Sequence, residues 1–380
     1  MRVGLIVYGI DRPLTGIGRY TVELVQSLAT WHDESVEFLL LTAGGAGPLA
    51  ETGLKQIRLP GCRLLPALMT LGSSMIPLLA RRHRLDIVHD TTGASPLLFG
   101  AGSAGTIATV HDVIPLSMPG FNTHLDTLIY RRWLPRVLPR LDAVITVSEA
   151  SKNDIAQHLR VPPRRIHNAS EGVTNIYRPA DASHLEQVRA HYELPQRYIL
   201  YVGSIEARKN LSRVLEAFAS LKQSGVSHDL VIVGPQKWKY GAILETLQRL
   251  KLENSVLFTG YVPETDLPII YSGADVFVFP SLYEGFGLPV LEAMACGTAV
   301  VTSNTSSLPE VIGDAGLQVD PYSVDEIASA ILRLLGDAAL RHRLQQKAIE
   351  RAAGFTWERT AETTIDIYRQ VMHQPPSASR

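Results

Sequence analysis

The chain has 380 residues, of which 46% are hydrophobic and 19% are charged. This length favours two domains over one, and the hydrophobic share supports sizeable cores, which excludes a disordered protein. The 36 Lys and Arg residues nearly balance the 37 Asp and Glu residues, which argues against a general nucleic-acid binder. Cys62 and Cys296 are far apart in the sequence and form neither a zinc pattern nor a disulfide framework, so a reducing compartment is expected.

In the first half of the chain, short β-branched and apolar runs alternate with longer helical patterns. The predicted elements are strands Val3–Val7, Glu37–Leu41, Ile87–His89, Thr106–Val110 and Ala143–Val147, with helices at Gly18–Thr30 and Ser151–Leu159. Several of the strand segments are continuously apolar, as expected of parallel strands covered by helices on both faces. The alternation therefore predicts a doubly wound α/β sheet.

The same alternation starts again in the second half. The predicted strands are Tyr198–Val202, Leu230–Val233, Val256–Thr259, Val276–Phe279 and Ala299–Val301, with helices at Arg213–Gln223, Pro289–Ala295 and Val324–Leu335. Residues 174–194 are polar and contain Pro179, so we expect the domain boundary there. The predicted fold is α/β, with two Rossmann-like parallel-sheet domains, residues 1–176 and 195–355, facing each other across a cleft. Residues 356–380 are predicted to form an amphipathic helix, with Ile365, Tyr368 and Met372 on one face, and a disordered tail from Gln374.

The most informative segment, Glu284–Gly297, follows a predicted strand. Its first two glycines allow the backbone to approach a ligand closely, and a proline follows in the first helical turn, where proline is favoured. The free N–H groups near Gly287 and Leu288 would point at an anion, most naturally a phosphate. Glu284 would lie in the loop and Glu292 in the helix, on opposite sides of that ligand.

This segment resembles family 4 of the retaining glycosyltransferases, and the resemblance covers most of the chain. It implies the two-domain GT-B fold, in which the C-terminal helix crosses back to the first domain. It also implies that Glu292 holds the ribose hydroxyls and Glu284 the hydroxyls of the donor sugar. Glu284 is thereby a candidate catalytic residue, without being assigned as a nucleophile.

The stretch Val202–Asn210 is similar to the diphosphate-binding loop of that family. Arg208 and Lys209 would supply the cations that a sugar-diphosphate leaving group needs. A solvated basic pair is disfavoured at a helix start, because helix N-termini prefer acidic residues. Many relatives have Arg where this chain has Ser204, which gives Arg208 and Lys209 more of the phosphate binding here.

Two segments of the first half also resemble the family. Thr15–Tyr20 is similar to its glycine loop, which implies that the Gly16 backbone approaches the diphosphate. Thr109–Leu116 resembles its HD-x-x-P segment, which implies that His111 lies near the reacting carbon and the acceptor. Asp112 is expected to orient the local backbone instead of reacting.

Three smaller features are expected to complete the site and its support. Glu171 stands where the family usually has Asn in an Asn-Gly-Val turn, a change that would alter one contact. Ser148 is a predicted helix N-cap with a mainly structural role. In relatives, the loops matching Gly234, Tyr261 and Val262 surround the nucleotide base, which implies backbone recognition and leaves the identity of the base open.

The resemblance carried by these motifs implies a retaining hexosyltransferase that moves a sugar from a nucleotide diphosphate to an acceptor hydroxyl. No Asp-x-Asp motif occurs, so neither a metal nor another cofactor is expected beside the nucleotide sugar. The sequence does not identify the donor or acceptor, and mannose from GDP-mannose for a bacterial surface polysaccharide is a hypothesis. An epimerase-like enzyme and a retired nucleotide-sugar-binding protein are the alternatives, against which the intact His111, Lys209, Glu284 and Glu292 argue.

Two segments of the first half combine basic and apolar residues. One is the apolar stretch 64–80 with the arginines that follow it at 81, 82 and 84, and the other is the basic cluster at 131–140. Pro and Gly make the first a poor membrane-spanning helix. The composition is that of an interfacial surface, although a solvated face over an ordinary core explains it as well. We therefore expect a cytoplasmic protein, peripheral on the inner membrane, that binds a nucleotide sugar and a glycan or lipid-linked acceptor but no nucleic acid.

Overall fold

The computed structural model describes residues 1–11, 14, 16–33, 35–120, 123–235 and 240–373. The chain divides into two compact units, the first comprising residues 1–172 with 356–380 and the second residues 173–355. The second unit begins earlier than the predicted residue 195, since the Val173 amide donates to the Phe355 carbonyl and the helix Ala182–His191 packs on the helix Leu267–Ser272. The tail expected to be disordered, Gln374–Arg380, lies outside the described residues.

In the part of the chain that the structure describes, the first unit holds one parallel sheet of seven strands with order β3-β2-β1-β4-β5-β6-β7. The strands are β1 Arg2–Val7, β2 Glu37–Thr42, β3 Lys55–Arg58, β4 Ile87–Asp90, β5 Gly105–Thr109, β6 Ala143–Thr146 and β7 Ile166–Asn168. The helices are α1 Gly16–Ala29, α2 Leu65–Ala67, α3 Ser73–His83, α4 Ile114–Ser117, α5 His124–Leu128, α6 Leu134–Val137 and α7 Glu149–Leu159. Two π-helical segments, Leu68–Gly72 and Ile129–Trp133, and 3-10 turns at Gly47–Thr52, Leu138–Arg140 and Pro163–Arg165 complete these elements.

The second unit repeats this arrangement with six parallel strands among its described residues, in the order β10-β9-β8-β11-β12-β13. The strands are β8 Tyr198–Val202, β9 Asp229–Val233, β10 Val256–Gly260, β11 Val276–Phe279, β12 Val300–Ser303 and β13 Leu317–Val319. The helices are α8 Ala182–His191, α9 Leu211–Gln223, α10 Tyr240–Leu250, α11 Leu267–Ser272, α12 Leu288–Ala295, α13 Leu308–Ile312, α14 Val324–Gly336 and α15 Ala338–Ala352, with a 3-10 turn at Ala207–Lys209. The doubly wound fold is therefore confirmed for both halves.

The C-terminal helix, α16, spans Trp357–His373 and packs against α1 of the first unit. Ile365 and Tyr368 are fully buried, as the helical spacing predicted. Met372 was predicted to share their face, but it is 45% exposed, and Val371 is buried instead. A helix advances 100° per residue, so the buried face has moved by one position at the last turn.

The strand order reverses at one point in each sheet. In the first unit the reversal lies between β1 and β4, and in the second between β8 and β11. Loops from the carboxyl ends of the two central strands leave toward opposite faces at such a point, so a crevice opens there that commonly binds ligands. The loops after β8 and β11 are those that carry the Arg208 and Glu284 motifs.

The apolar stretch 64–80 forms α2, the first π-helical segment and most of α3. Within the described ranges, no helix is both long enough and apolar enough to cross a membrane.

Candidate active site

The loop after β8 carries the two adjacent cations. Arg208 and Lys209 lie on the 3-10 turn Ala207–Lys209, which ends at Asn210 in a left-handed conformation with φ of 62°. Asn210 is buried, and its amide nitrogen donates to the carbonyls of Pro280 at 2.9 Å and Pro321 at 2.6 Å. This one side chain therefore ties the loop after β8 to the loops after β11 and β13.

Arg208 forms the central ion pair of the site. Its Nη1 lies 2.8 Å from Glu284 Oε1 and donates to the Tyr283 carbonyl at 2.5 Å, while Nη2 lies 3.5 Å from Glu206 Oε2. Burial acts to raise the pKa of Glu284, but Arg208, Lys209 and the hydrogen bonds from Arg208 and Ser281 outweigh it, so the pKa is below its ordinary value. Glu284 is therefore ionised at neutral pH and holds the guanidinium in place.

Lys209 has different surroundings from Arg208. Its ammonium lies 5.4 Å from the centre of the Phe279 ring, and its side chain packs over Gly203. None of the described carboxylates lies within ion-pair distance of its Nζ, and the residue is only half-buried. Of the two cations, Lys209 is therefore the one that an anionic ligand can bind without displacing a carboxylate.

Hydroxyl groups hold the loop that carries Glu284. Ser281 donates to Glu284 Oε1 at 2.8 Å, and Ser306 accepts a hydrogen bond from the Glu284 amide at 3.1 Å. Ser307 donates to the carbonyls of Glu284 at 3.0 Å and Phe286 at 2.6 Å. Thr302, Ser303 and Thr305 donate in the same way to Phe279, Ser281 and Leu282. The segment 302–307 thus fixes the backbone of the Glu284 loop residue by residue.

Gly287 and Leu288 form the start of α12, as predicted. Gly287 is the residue before the helix and has φ of 118°, a conformation that L side chains rarely adopt. A Cβ at this position would lie 2.6 Å from Leu308 Cδ2, so the site requires glycine. The N–H groups of the first turn of a helix have no intrahelical partner, and they favour an anion.

Glu292 lies in α12 and is only 4% exposed. The Tyr271 hydroxyl donates to its Oε2 at 3.0 Å. Burial, followed by the Glu292 charge, holds the pKa of Tyr271 well above its ordinary value, so the tyrosine stays a donor. Glu292 is thus oriented by a buried phenol.

The loops assigned to the nucleotide base meet through their backbones. The Gly203 amide donates to the Val233 carbonyl and the Gly234 amide to the Gly260 carbonyl, both at 2.9 Å. A Cβ at Gly234 would lie 2.2 Å from the Gly203 carbonyl oxygen, so only glycine fits. Of the two other residues assigned to this region, Tyr261 is 75% exposed and Val262 is buried, so the Val262 side chain can contribute only packing.

In the first unit, His111 follows β5 and pairs with Glu171. His111 Nδ1 lies 3.6 Å from Glu171 Oε1, and both side chains are nearly buried. The Tyr20 ring meets the imidazole edge-on, with the centroids 4.5 Å apart, and the buried His111 Nε2 has no hydrogen-bond partner. The substitution of Glu for the family's usual Asn therefore places a carboxylate beside the histidine.

A second buried histidine, His89, is close enough to His111 to feel its charge, and the sequence analysis did not single it out. His89 bonds to the Tyr368 hydroxyl at 2.7 Å and to Thr109 Oγ1 at 2.8 Å. Burial, with a smaller effect of His111, lowers the pKa of His89 to about 3. His89 lies inside a strand whose neighbours are all buried, and a lone histidine there carries no sequence signal of its partners.

The remaining predicted residues of the first unit have local roles that the structure describes. Asp112 accepts a hydrogen bond from the Ile114 amide at 2.9 Å, as expected of a residue that orients backbone. Ser148 accepts from the Ser151 amide at 3.0 Å and caps α7, which confirms that prediction. Gly16 begins α1 and is exposed, and nothing lies within 4 Å of where its Cβ would be. Thr15 of the same motif lies outside the described residues.

The structure thus brings together Arg208, Glu284 and Lys209 in the second unit, and His111 with Glu171 in the first. Sequence reasoning missed Glu206, Ser281, Asn210 and the hydroxyl-rich segment 302–307, whose dense Ser and Thr content was the signal available. Among the described residues, no group of three or more His, Cys, Asp or Glu side chains is arranged to hold a metal ion. The arrangement offers two cations, a helix N-terminus and two oriented carboxylates in one unit, a set suited to an anionic, hydroxyl-rich ligand.

Two family models match the chain. The model described as glycosyltransferase family 4 matches residues 14–174, and the model described as glycosyl transferases group 1 matches residues 186–351. The chain is also 32% identical to the O-antigen chain mannosyltransferase B of Escherichia coli, over 97% of this chain and 100% of that protein. It is 32% identical to the serotype-specific mannosyltransferase WbdA of Escherichia coli, over 70% of this chain and 34% of that longer protein.

Solved structures give the same fold. The Anabaena protein HepE, crystallised in complex with UDP and glucose, matches 97% of this chain and 100% of its own with a TM-score of 0.77. The two sequences are only 17% identical, so this likeness concerns the fold alone.

Proposed function

Because the chain belongs to the family-4 glycosyltransferases and has their GT-B fold, we propose that it transfers mannose from GDP-mannose to a hydroxyl of a growing glycan, with retention at the anomeric carbon. The similarity to two mannosyltransferases of Escherichia coli supports the choice of sugar. O-antigen is named in one of them, which supports a bacterial surface polysaccharide as the product.

The observation that carries the proposal is the cluster at the switch point between β8 and β11. Breaking the bond between the sugar and the diphosphate leaves additional negative charge on the diphosphate. Lys209 forms no ion pair with a described carboxylate, and Arg208 can exchange Glu284 for the phosphate oxygens. Such preorganised cations stabilise the charge as it develops, which is usually the largest single contribution to catalysis.

Bond making and breaking balance without a covalent intermediate. The C1–O bond to the diphosphate breaks as the acceptor oxygen forms a new bond to C1 on the same face. The acceptor proton passes to the leaving phosphate oxygen. In this scheme Glu284 orients the donor sugar, and His111 lies near the acceptor.

The leaving group is neutralised by protein cations in this proposal. Arg208, Lys209 and the first-turn amides of α12 at Gly287 and Leu288 take the place that a divalent ion has in metal-dependent transferases. Activity is therefore expected to persist in EDTA. Complete loss in EDTA that magnesium or manganese restores would contradict metal independence.

We further propose that the acceptor is lipid-linked and that the enzyme acts at the inner-membrane surface. Exposed leucines at 64, 71, 125 and 128 lie in or beside the two basic–apolar segments of the first unit. A glycan that grows on a lipid carrier is presented at such a surface.

Thermal unfolding with GDP-, UDP-, dTDP- and ADP-sugars tests the donor. A ligand at about 100 times its dissociation constant stabilises the folded state by about 2.7 kcal/mol, so the preferred donor is visible as the largest rise in Tm. We expect GDP-mannose to give that rise. A larger shift with another nucleotide sugar would contradict the proposed donor while leaving the family assignment intact.

A further inference from the structure

The apolar stretch 64–80 and the basic cluster 131–140 border one groove on the first unit. The groove has a volume of about 430 Å³. Residues of α2 and of the first π-helical segment form one wall, and α5, the second π-helical segment and α6 form the other. Two segments that the sequence places about 60 residues apart therefore make a single surface feature.

The groove is apolar and open to water. Met69 and Ile129 are buried at its lining, whereas Leu125 and Leu128 are 42% and 50% exposed. Trp133 also lines it, and its indole N–H donates to the Ser95 carbonyl at 3.0 Å, so the polar edge of the ring is already satisfied by the protein. Burial of these apolar groups against another apolar body is favourable, because it removes them from water.

Both π-helical segments of the described chain, Leu68–Gly72 and Ile129–Trp133, contribute residues to this groove. π-Helical segments are rare and occur frequently at functional sites. Their coincidence on facing walls of the same groove is independent of the exposure of the leucines.

The border of the groove is positively charged. Arg131, Arg132 and Arg136 are exposed, and no described carboxylate lies within 4 Å of any of them. The Arg136 guanidinium instead donates to the Arg132 carbonyl. The groove therefore combines an apolar interior with guanidinium groups that no described carboxylate neutralises, which is complementary to an amphiphile with a hydrocarbon chain and an anionic head.

We propose that this groove binds one acyl chain of an anionic phospholipid at the membrane surface, with Arg131, Arg132 and Arg136 against the phosphate head groups. The inference rests on the membrane contact proposed above but not on mannosyl transfer. The proposed membrane contact thereby includes a specific binding site for one lipid molecule. Each arginine near an anionic surface contributes an attraction that falls with salt, whereas the acyl chain contributes one that does not.

Fluorescence tests whether the chain enters the groove. The full chain is mixed with vesicles of equal parts phosphatidylcholine and phosphatidylglycerol, with bromine on the phosphatidylglycerol acyl chains, a short-range quencher of tryptophan. We expect quenching in the parent protein and its near-complete loss in Trp133→Phe, which still binds the vesicles. Equal quenching in parent and Trp133→Phe would overturn the proposal, because the other tryptophans would then be the ones in contact with lipid.

Co-sedimentation with the same vesicles supplies the second test. Leu128→Asp and Arg132→Gln alter exposed side chains, so folding is preserved, and the matched controls Leu332→Asp and Arg343→Gln alter exposed residues of the second unit. We expect Arg132→Gln to weaken binding about fivefold and Leu128→Asp to weaken it further, with the controls unchanged. Binding that both groove variants leave intact would overturn the lipid site while keeping the membrane contact. No binding of the parent would overturn both, and mannosyl transfer is judged separately from donor stabilisation.

Discussion

Arg208 and Lys209 are neighbours in the sequence, yet the structure gives them unequal positions. Arg208 is held by Glu284, Glu206 and the Tyr283 carbonyl. Lys209 lies over the Phe279 ring and acts on Glu284 only through its charge, without an ion pair. The motif indicated that both residues bind the diphosphate and that Lys209 is also a catalytic residue. The difference depends on which loop meets the 3-10 turn, and a linear pattern carries no information about that contact.

Lys209→Ala is expected to lower turnover by about 10²–10³, because one preorganised charge contact to the leaving group is lost. The cost in folding free energy is expected to be about 1 kcal/mol or less, since the cation–π contact with Phe279 is the main contact removed. Steady-state kinetics and urea unfolding measure the two effects. Lys347→Ala, at an exposed surface pair with Asp314, is the control. Turnover at the parent rate in Lys209→Ala would contradict the role of Lys209 at the diphosphate.

Glu284 and Glu292 should respond differently to ligands. If Glu292 holds the ribose, Glu292→Gln weakens the binding of both GDP and GDP-mannose, because the two ligands share the ribose. If Glu284 holds the sugar, Glu284→Gln does not weaken GDP binding, because Arg208 loses the carboxylate that competes with the diphosphate, and it mainly lowers the turnover of the intact donor. A charge-assisted hydrogen bond contributes about 1.5–3 kcal/mol, which calorimetry resolves.

Tyr271→Phe is the control for Glu292, because it removes the phenol that orients the carboxylate and keeps the carboxylate itself. We expect Tyr271→Phe to weaken GDP binding less than Glu292→Gln does. Reversed behaviour of the two glutamate variants would exchange their roles, and small, equal effects would mean that both glutamates are structural.

His89 gives the first unit a pH dependence. The pKa of His89 is about 3 in the folded protein, whereas in the unfolded chain it has its ordinary value of 6.5. Between these pH values the unfolded chain therefore takes up a proton that the folded chain does not. Stability is therefore lost as the pH falls through this range. Between about pH 7.5 and 5.5 the loss from this group is about 1.4 kcal/mol.

Urea unfolding at both pH values gives the change in the free energy of unfolding with pH for the parent and for His89→Gln, and the difference between these two changes measures the effect of His89. The variant is less stable at neutral pH, because its bonds to Tyr368 and Thr109 change, but its stability should fall less on acidification. Identical pH slopes in the two proteins would contradict a buried neutral His89.

At the scale of secondary structure, the sequence predicted ten of the thirteen described strands, including the edge strand β10, but none of β3, β7 and β13. These three also lie at sheet edges, but unlike β10, whose sequence begins Val-Leu-Phe, their sequences, Lys55–Arg58, Ile166–Asn168 and Leu317–Val319, are only three or four residues long and contain polar residues. They lack the continuous apolar run that marks a parallel strand covered on both faces. The strands with such a run were predictable whether they lie at the centre of the sheet or at its edge.

Asn210 connects three loops of the second unit, so its replacement should destabilise the packing of all three. Asn210→Ala leaves the Pro280 and Pro321 carbonyls without their donor, at about 1–3 kcal/mol for each buried group, and it also places Ala in a left-handed conformation. Asn210→Gly loses the same hydrogen bonds without the backbone strain. We expect Asn210→Gly to be destabilised, and Asn210→Ala by about 1 kcal/mol more. Parent-like stability of the glycine variant in urea unfolding would show that the two carbonyls find other partners.

At the scale of the whole molecule, the family and the doubly wound fold were accessible from the sequence because their signals are repeated. Two series of strands and helices and several motifs at strand ends all indicate the same architecture, and the family models and the similarity to the Escherichia coli mannosyltransferase confirm it. The supporting contacts of the site were not accessible. His111 pairs with Glu171, and residues 302–307 support the Glu284 loop, through contacts between loops that are distant in sequence. None of these residues is unusual in its own stretch of sequence, so the contacts could not be predicted.

The most direct test of the proposed mannosyl transfer is to incubate the protein with GDP-mannose and an acceptor and to identify any product. GDP-mannose carries its sugar in the α configuration, so transfer with retention to an octyl α-mannoside acceptor yields an α-linked disaccharide. NMR of the anomeric carbon and proton of the purified product identifies both the sugar and its configuration. The account predicts an α-mannosyl product. A β-linked product would contradict retention, and transfer from another nucleotide sugar with none from GDP-mannose would contradict the assignment as a mannosyltransferase.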